Sequence, residues 1–252
     1  MKSHAIFAIV LSGFTCGAIA VWAAQKNAPQ IHVCTEIFRP PKGVAQKGCL
    51  WRKRNLTVHF LEGDPIVQRK VAEHAKEWTQ YSGIAFVFDN SSDKADIKIG
   101  FNPASGSWSY IGLCQPGLKA TDATMNFGWL TPQTDDVEYS RVVLHEFGHA
   151  LGLLHEHQHP TADIPWNRPV VYEYYKRTQG WDEAKVDQSI FQKYSETETN
   201  HTAYDPQSIM EYPIDKSFTL NGFEVGWNSA LSEHDKEFIQ QLYVAAPKED
   251  VP

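Results

Sequence analysis

The chain has 252 residues, enough for one large domain or for two small lobes with a sizeable hydrophobic core. Hydrophobic residues make up 42% and charged residues 21%, which indicates a globular protein and argues against a disordered, collagen-like or coiled-coil chain. The formal net charge is −7 and Lys and Arg form no long basic run, so we expect neither nucleic acid nor an anionic membrane as a partner.

The first residues have the layout of a secretory signal peptide. A basic Lys2 precedes an apolar stretch over residues 5–20, and small side chains follow at Ala23 and Ala24. A membrane anchor is the alternative, but the stretch is short for a transmembrane helix. We therefore expect residues 1–24 to be cleaved and the protein to be secreted, either to the exterior or to the periplasm of a Gram-negative bacterium.

Removal of this segment leaves three cysteines, Cys34, Cys49 and Cys114. An odd number in an oxidising compartment predicts one disulfide and one free thiol, and we expect the pair Cys34–Cys49. Residues 25–49 are polar and contain several prolines, which predicts an N-terminal arm or a short pro-segment ahead of the domain.

Short strands and one helix are predicted between residues 50 and 130. Asp64 and Pro65 favour the N-cap and the first position of a helix, and an apolar stripe at helical spacing continues to Gly83. Strands are predicted over 56–60, 84–88, 97–101 and 124–129, the last at the edge of the sheet. This order predicts a mixed sheet backed by a helix.

Three further helices are predicted in the second half of the chain. Acidic residues at positions 135, 136 and 138 favour the start of a helix whose body covers 137–154. A second helix is expected over 169–177. Ser232, with Asp235 three residues later, predicts the N-terminus of a last helix that ends near Tyr243.

The segment from His145 to His149 carries the chemical signal of the sequence. On a helix, two histidines four residues apart lie on one face, where both imidazoles can bind one metal ion. Glu146 follows the first histidine and can reach a water at the open position of the metal. There it would act as a general base.

A third histidine completes the pattern. Gly152 lies three residues after His149, and its tolerance of positive φ allows the helix to end and the chain to turn. This turn would bring His155 back towards the first two histidines. Three neutral imidazoles leave one tetrahedral position for water, which is typical of a catalytic zinc site, so we predict one catalytic Zn²⁺ ion.

Together with Glu156, these residues form the pattern H-E-x-x-H-x-x-G-x-x-H-E, which resembles the zinc-binding motif of the astacin branch of the metzincin metalloproteases. A second segment, over 204–212, resembles the astacin Met-turn, and the resemblance extends over about 56–243. It implies that His145, His149 and His155 are the zinc ligands and that Glu146 is the catalytic base.

The Met-turn resemblance implies roles for two more residues. Met210 would form an apolar floor beneath the metal without binding it. Tyr212 matches a tyrosine that can be an additional zinc ligand and can stabilise the oxyanion of the tetrahedral intermediate. Glu211 departs from the family, which usually has His between the Met and the Tyr.

Two histidines adjoin the third predicted ligand. His157 and His159 precede Pro160 in polar surroundings, which predicts an exposed loop. We therefore do not expect these two side chains to bind the metal.

The resemblance implies an α+β, two-lobed metzincin-like catalytic domain over residues 50–245, with lobes over about 50–154 and 155–245. The first lobe would contain the mixed twisted sheet, the backing helix and the zinc-binding helix. The second would be smaller and irregular, and would contain the Met-turn and the last helix. An extended peptide would pair with the expected edge strand near 124–128.

The expected function is that of a secreted zinc endopeptidase that hydrolyses internal bonds of protein or peptide substrates. We expect a monomer without stable membrane association after removal of the signal peptide. One alternative is a secreted zinc-binding toxin or adhesion factor, which would bind zinc and cleave no peptide. The other is a zinc hydrolase of cell-wall peptides, which would cleave cell-wall fragments.

Overall fold

A computed structural model describes residues 48–91, 94–115, 117–119, 121–197, 199–200 and 202–243. The expected signal peptide over 1–24, nearly all of the expected arm over 25–49, and Cys34 lie outside these ranges. No helix within them combines the length and the apolar character needed to cross a membrane.

A five-stranded mixed sheet forms the first part of the described fold. In space the strands follow the order β2-β1-β3-β5-β4, and only β4 runs antiparallel to its neighbour. The predicted mixed sheet is therefore confirmed. The strands are β1 (Asn55–Phe60), β2 (Ala85–Phe88), β3 (Ile97–Gly100), β4 (Trp108–Ser109) and β5 (Met125–Asn126).

The prediction that the strand near 124–129 lies at the sheet edge is wrong. β5 pairs with β3 on one side and with β4 on the other, so it has no free edge to which a peptide could be added. The Asn126 side chain explains the difference, because its Nδ2 donates to the Asn102 carbonyl at 3.0 Å and its Oδ1 accepts from the Asn102 amide at 2.9 Å. These bonds fold the 102–109 segment back along β5.

Each predicted helix is present with a different length, and a short helix at Glu183–Val186 was not predicted. The first predicted helix is divided by a 3₁₀ turn at Lys76–Trp78 and ends at Gly83, which has a φ of 65°. Asp64 caps its start as predicted, because its side chain accepts from the Ile66 amide. The helices are α1 (Pro65–Ala75), α2 (Thr79–Ser82), α3 (Asp136–Ala150), α4 (Arg168–Gln179), α5 (Glu183–Val186) and α6 (Glu233–Tyr243).

Buried apolar side chains form two main clusters. The first lies between the sheet, α1 and α3, where the ring of Phe147 meets the ring of Phe86 edge-on at 4.8 Å. It also includes Ile239 and Tyr243 of α6, although the sequence placed this helix in the second lobe. The second cluster contains side chains from residues 162 to 225. The last helix therefore packs on the core of the first lobe.

The described disulfide joins Cys49 to Cys114, so the expected Cys34–Cys49 pair is wrong. The Leu113 amide donates to the Cys49 carbonyl at 2.8 Å, and the Gly112 amide donates to the His149 carbonyl at 3.0 Å. These backbone bonds hold the two cysteines at a Cα–Cα distance of 5.1 Å, which a disulfide can span. The disulfide thus fixes the start of the described chain against the end of α3.

Candidate metal centre

Helix α3 places His145 and His149 on one face, as their spacing predicts. Asp135 caps the helix, because its side chain accepts from the Glu138 amide. Both imidazoles are buried, and their ring centroids lie 4.8 Å apart. Glu146 lies in the same turn and is fully buried. The helix therefore brings two potential ligands and a carboxyl group into one interior site.

The chain turns back after α3 at the predicted glycine. The helix ends at Ala150, earlier than predicted, and Gly152 adopts a φ of 94°. The Leu153 amide then donates to the Gly148 carbonyl at 3.0 Å, which closes the turn. His155 follows in extended conformation, and its ring centroid lies 4.6 Å from that of His149.

The three histidines form a group that is suited to hold a metal ion. One potential ligand atom from each of His145, His149 and His155 lies within 4.8 Å of the other two. Nδ1 of His145 donates to the Ile209 carbonyl at 2.8 Å, and Nδ1 of His149 donates to the Leu153 carbonyl at 2.9 Å. Because a carbonyl can only accept, both Nδ1 atoms carry the proton, and Nε2 is the nitrogen of each ring that could bind a metal. Nε2 of His149 lies 3.1 Å from Nε2 of His155.

The electrostatics of this group favour neutral imidazoles. Burial lowers the pKa of His145 and of His155 well below the usual value, and the neighbouring histidines lower each pKa further. Nε2 of His145 is buried and has no hydrogen-bond partner among the described residues. Neutral imidazoles with inward Nε2 atoms are the form that binds Zn²⁺, so the donor set fits the expected ion.

Met210 packs against α3. It is buried, and a Cβ added at Gly148 would overlap its sulfur atom. The same added atom would lie 3.3 Å from the Trp78 ring. Glycine at position 148 therefore allows the methionine to approach the helix closely, and the role of Met210 as an apolar floor stays a prediction.

Tyr212 lies beside the histidines. Its ring centroid is 4.4 Å from that of His155 and 6.1 Å from that of His145. The Tyr212 amide donates to the Glu211 carboxylate at 2.9 Å, so the residue that replaces the usual family histidine binds the backbone of the tyrosine. The structure thus brings together the three histidines, the glutamate, the methionine and the tyrosine that the two motifs single out.

The prediction of an exposed loop at His157 and His159 is wrong, since both side chains are buried. The ring of His157 stacks on that of Tyr212 at 4.5 Å, and its Nε2 donates to the Ser189 carbonyl at 2.9 Å. Within the described part of the chain, neither histidine belongs to the group that could hold a metal. The local sequence does not reveal this burial, because the 187–191 turn that covers His157 is distant in the chain.

Glu156, the residue after the third histidine, is partly buried in this region. Its Oε1 accepts from the Asp205 amide at 2.8 Å. Burial raises the pKa of Glu156 to about 8, and the nearby carboxyl groups of Asp235 and Asp205 contribute to the increase. Glu156 also helps to line a cavity of about 70 Å³, together with Asn200 and Leu242.

The fold and the three-histidine centre define the class of this chain as a zinc metallopeptidase with a metzincin-like α+β domain. The model of the astacin peptidase family matches residues 43–244. The chain therefore belongs to the astacin family, as the two motifs indicate. Astacin-family metalloproteases use zinc, and the three histidines are positioned to bind it.

Solved and curated proteins support this assignment. The structure of myroilysin is 44% identical, covers 78% of this chain and 96% of its own chain, and superposes with a TM-score of 0.75. Serralysin from Photorhabdus sp. (strain Az29) is 29% identical over 211 residues, and zinc metalloproteinase nas-39 from Caenorhabditis elegans is 27% identical over 188 residues. The matches cover 75% and 68% of this chain. They span only 38% of the serralysin and 18% of nas-39.

Proposed function

We propose that this chain is a zinc-dependent endopeptidase that hydrolyses internal peptide bonds of proteins. The observation that carries the proposal is the buried group of His145, His149 and His155, whose ligand atoms lie within 4.8 Å of one another. A buried carboxyl group and a tyrosine adjoin this group. Membership of a peptidase family supports the same reaction.

In this proposal His145, His149 and His155 would hold one Zn²⁺ ion. Bound zinc supplies Lewis acidity, which lowers the pKa of water and polarises the carbonyl group of the substrate. Two of the three imidazole rings have a fixed orientation, because backbone carbonyls accept hydrogen bonds from Nδ1 of His145 and of His149.

Glu146 acts as the general base. Its carboxylate takes a proton from the attacking water and then returns it to the amine that leaves. Tyr212 would donate its phenolic O–H to the oxygen that gains negative charge in the transition state, and it is a possible additional residue to hold the ion. Met210 keeps the floor of the site apolar.

The proposal includes secretion after removal of residues 1–24, action on protein or peptide substrates, and a monomeric state. The layout of the N-terminal sequence supports secretion. Disulfides persist in the oxidising compartments that secreted proteins reach. The observed Cys49–Cys114 disulfide agrees with such a compartment.

The test is cleavage of a diverse mixture of peptides that are blocked at both ends, followed by mass spectrometry. We expect the secreted, zinc-loaded chain to cleave internal bonds, to lose this activity on chelation, and to regain it on addition of zinc. The variant His149→Ala should be inactive, whereas His74→Ala, a histidine outside the centre, should retain activity. A zinc-loaded chain that cleaves no peptide would contradict the proposal and favour a binding protein.

A further inference from the structure

The start of α6 is hydrogen-bonded to the 208–210 segment, which ends at Met210. Asp235, the third residue of α6, is buried. Its Oδ1 accepts from the Ser208 hydroxyl at 2.6 Å, and its Oδ2 accepts from the Ile209 amide at 2.8 Å. One carboxylate therefore binds two consecutive residues of this segment.

The other side of the 208–210 segment binds the metal centre. The Ile209 carbonyl accepts from Nδ1 of His145 at 2.8 Å. The Met210 carbonyl accepts at 3.0 Å from the amide of Glu156, the residue that follows His155. The segment thus binds the side chain of His145 directly, and it binds the backbone of the residue next to His155.

These bonds form a continuous path from the carboxylate to the ligand. The Ser208 hydroxyl, which donates to Asp235, accepts from the Met210 amide at 3.0 Å. That amide belongs to the peptide group whose carbonyl, from Ile209, accepts from His145. The path therefore runs from carboxylate to hydroxyl to peptide to imidazole, and each bond polarises the next.

Helix capping alone does not account for this arrangement. The Ser232 hydroxyl accepts from the Asp235 amide at 2.9 Å, and the Asp235 carboxylate accepts from the Ser232 amide at 2.9 Å. These two bonds complete the N-terminal cap of α6. The bonds from Asp235 to Ser208 and Ile209 are additional, and they point towards the metal centre.

We propose that Asp235 is a positioning residue for the zinc site, which acts on His145 through Ser208 and the peptide group between Ile209 and Met210. The inference rests on the proposed function, because it takes His145 as a zinc ligand. A carboxylate that accepts the ligand's hydrogen bond directly is common at zinc sites, where it fixes ring orientation and increases ligand basicity. Here a hydroxyl and a peptide group lie between the carboxylate and the histidine.

The test measures the zinc dissociation constant of the full chain by competition with a chromophoric chelator, after zinc has been removed. We expect Asp235→Asn to raise this constant by about 10- to 100-fold. Ser232→Ala, which disturbs the cap of the same helix without breaking the path, should lower the melting temperature and change the constant by less than about threefold.

The inference would be overturned if the zinc dissociation constant of Asp235→Asn stayed within about threefold of that of the unsubstituted chain. It would also be overturned if Ser232→Ala bound zinc as weakly as Asp235→Asn. If Asp235→Asn loses its near-ultraviolet circular dichroism, the variant is not correctly folded, and Ser208→Ala is tested in its place. Ser208→Ala breaks the path at the hydroxyl. Ser208→Ala should weaken zinc binding in the same direction, and an unchanged constant would overturn the inference. Failure of the proposed function looks different, since the unsubstituted chain would then bind zinc no better than His149→Ala.

Discussion

Two of the three histidines of the metal centre are oriented by backbone carbonyls, and this determines their chemistry. His145 and His149 donate from Nδ1, so each presents Nε2 to the centre in the neutral form. Burial favours the same neutral form for His145 and His155, because it lowers both pKa values. The histidines are therefore prepared for a metal before it binds.

Replacement of Tyr212 by Phe tests the proposed oxyanion donor. The ring would still stack on His157 and pack beside His155, so the site should keep its shape. We expect kcat to fall by about 10²- to 10³-fold, because a donor aimed at developing charge is lost. Steady-state kinetics on a cleaved peptide, with zinc content measured in the same sample, provide the measurement.

Tyr172→Phe is the matched control, since the Tyr172 hydroxyl donates to the exposed Asp187 and not to a histidine of the centre. It should leave kcat unchanged. A Tyr212→Phe variant with full kcat and full zinc content would remove this hydroxyl from the mechanism.

At the scale of single elements, the parts of the site that depend on local sequence were predictable. The helix start near Asp135, the spacing of the two histidines and the positive φ at Gly152 are consequences of neighbouring residues. The metal-bearing helix and the turn to His155 therefore follow from a short stretch of chain.

Elements that depend on distant contacts were not predictable in the same way. The expected edge strand is covered by β4, because Asn126 binds the backbone of a loop that lies well before it in the chain. The partner of Cys49 lies 65 residues away along the chain, and spacing alone does not reveal such pairs. His157 is buried because Tyr212 and the 187–191 turn cover it. In each case the deciding contact is tertiary.

At the scale of the whole molecule, the centre lies where the two hydrophobic clusters meet. Met210 belongs to the first cluster and Tyr212, two residues later, belongs to the second. The carboxyl groups of Glu211 and Asp235 are buried at this junction and that of Glu156 is partly buried, and desolvation raises the pKa of each. The stability of the fold should therefore depend on pH through these groups.

Glu156 gives this dependence a definite sign. Its pKa rises from 4.5 to about 8 on folding, so between these values the folded chain holds a proton that the unfolded chain has released. Stability should then fall as pH rises, by about 1.4 kcal/mol per pH unit across this window. Glu156→Gln removes this proton and keeps an acceptor for the Asp205 amide.

The measurement is the free energy of unfolding of the zinc-free chain and of Glu156→Gln between pH 5 and pH 9, by urea denaturation. We expect the variant to gain stability relative to the unsubstituted chain as pH rises, with the gain complete above about pH 8. The exposed variant Glu73→Gln should follow the unsubstituted chain. A stability difference between Glu156→Gln and the unsubstituted chain that stays constant with pH would show that Glu156 is ionised throughout.

The central claim is that Glu146 performs base catalysis beside a zinc ion held by the three histidines. Its most direct test is turnover by Glu146→Gln, measured together with the zinc content of the same sample. We predict one zinc per chain and a loss of about 10²- to 10⁴-fold in kcat, because the amide keeps the shape and cannot take the proton. Unchanged turnover at full zinc content would contradict the account.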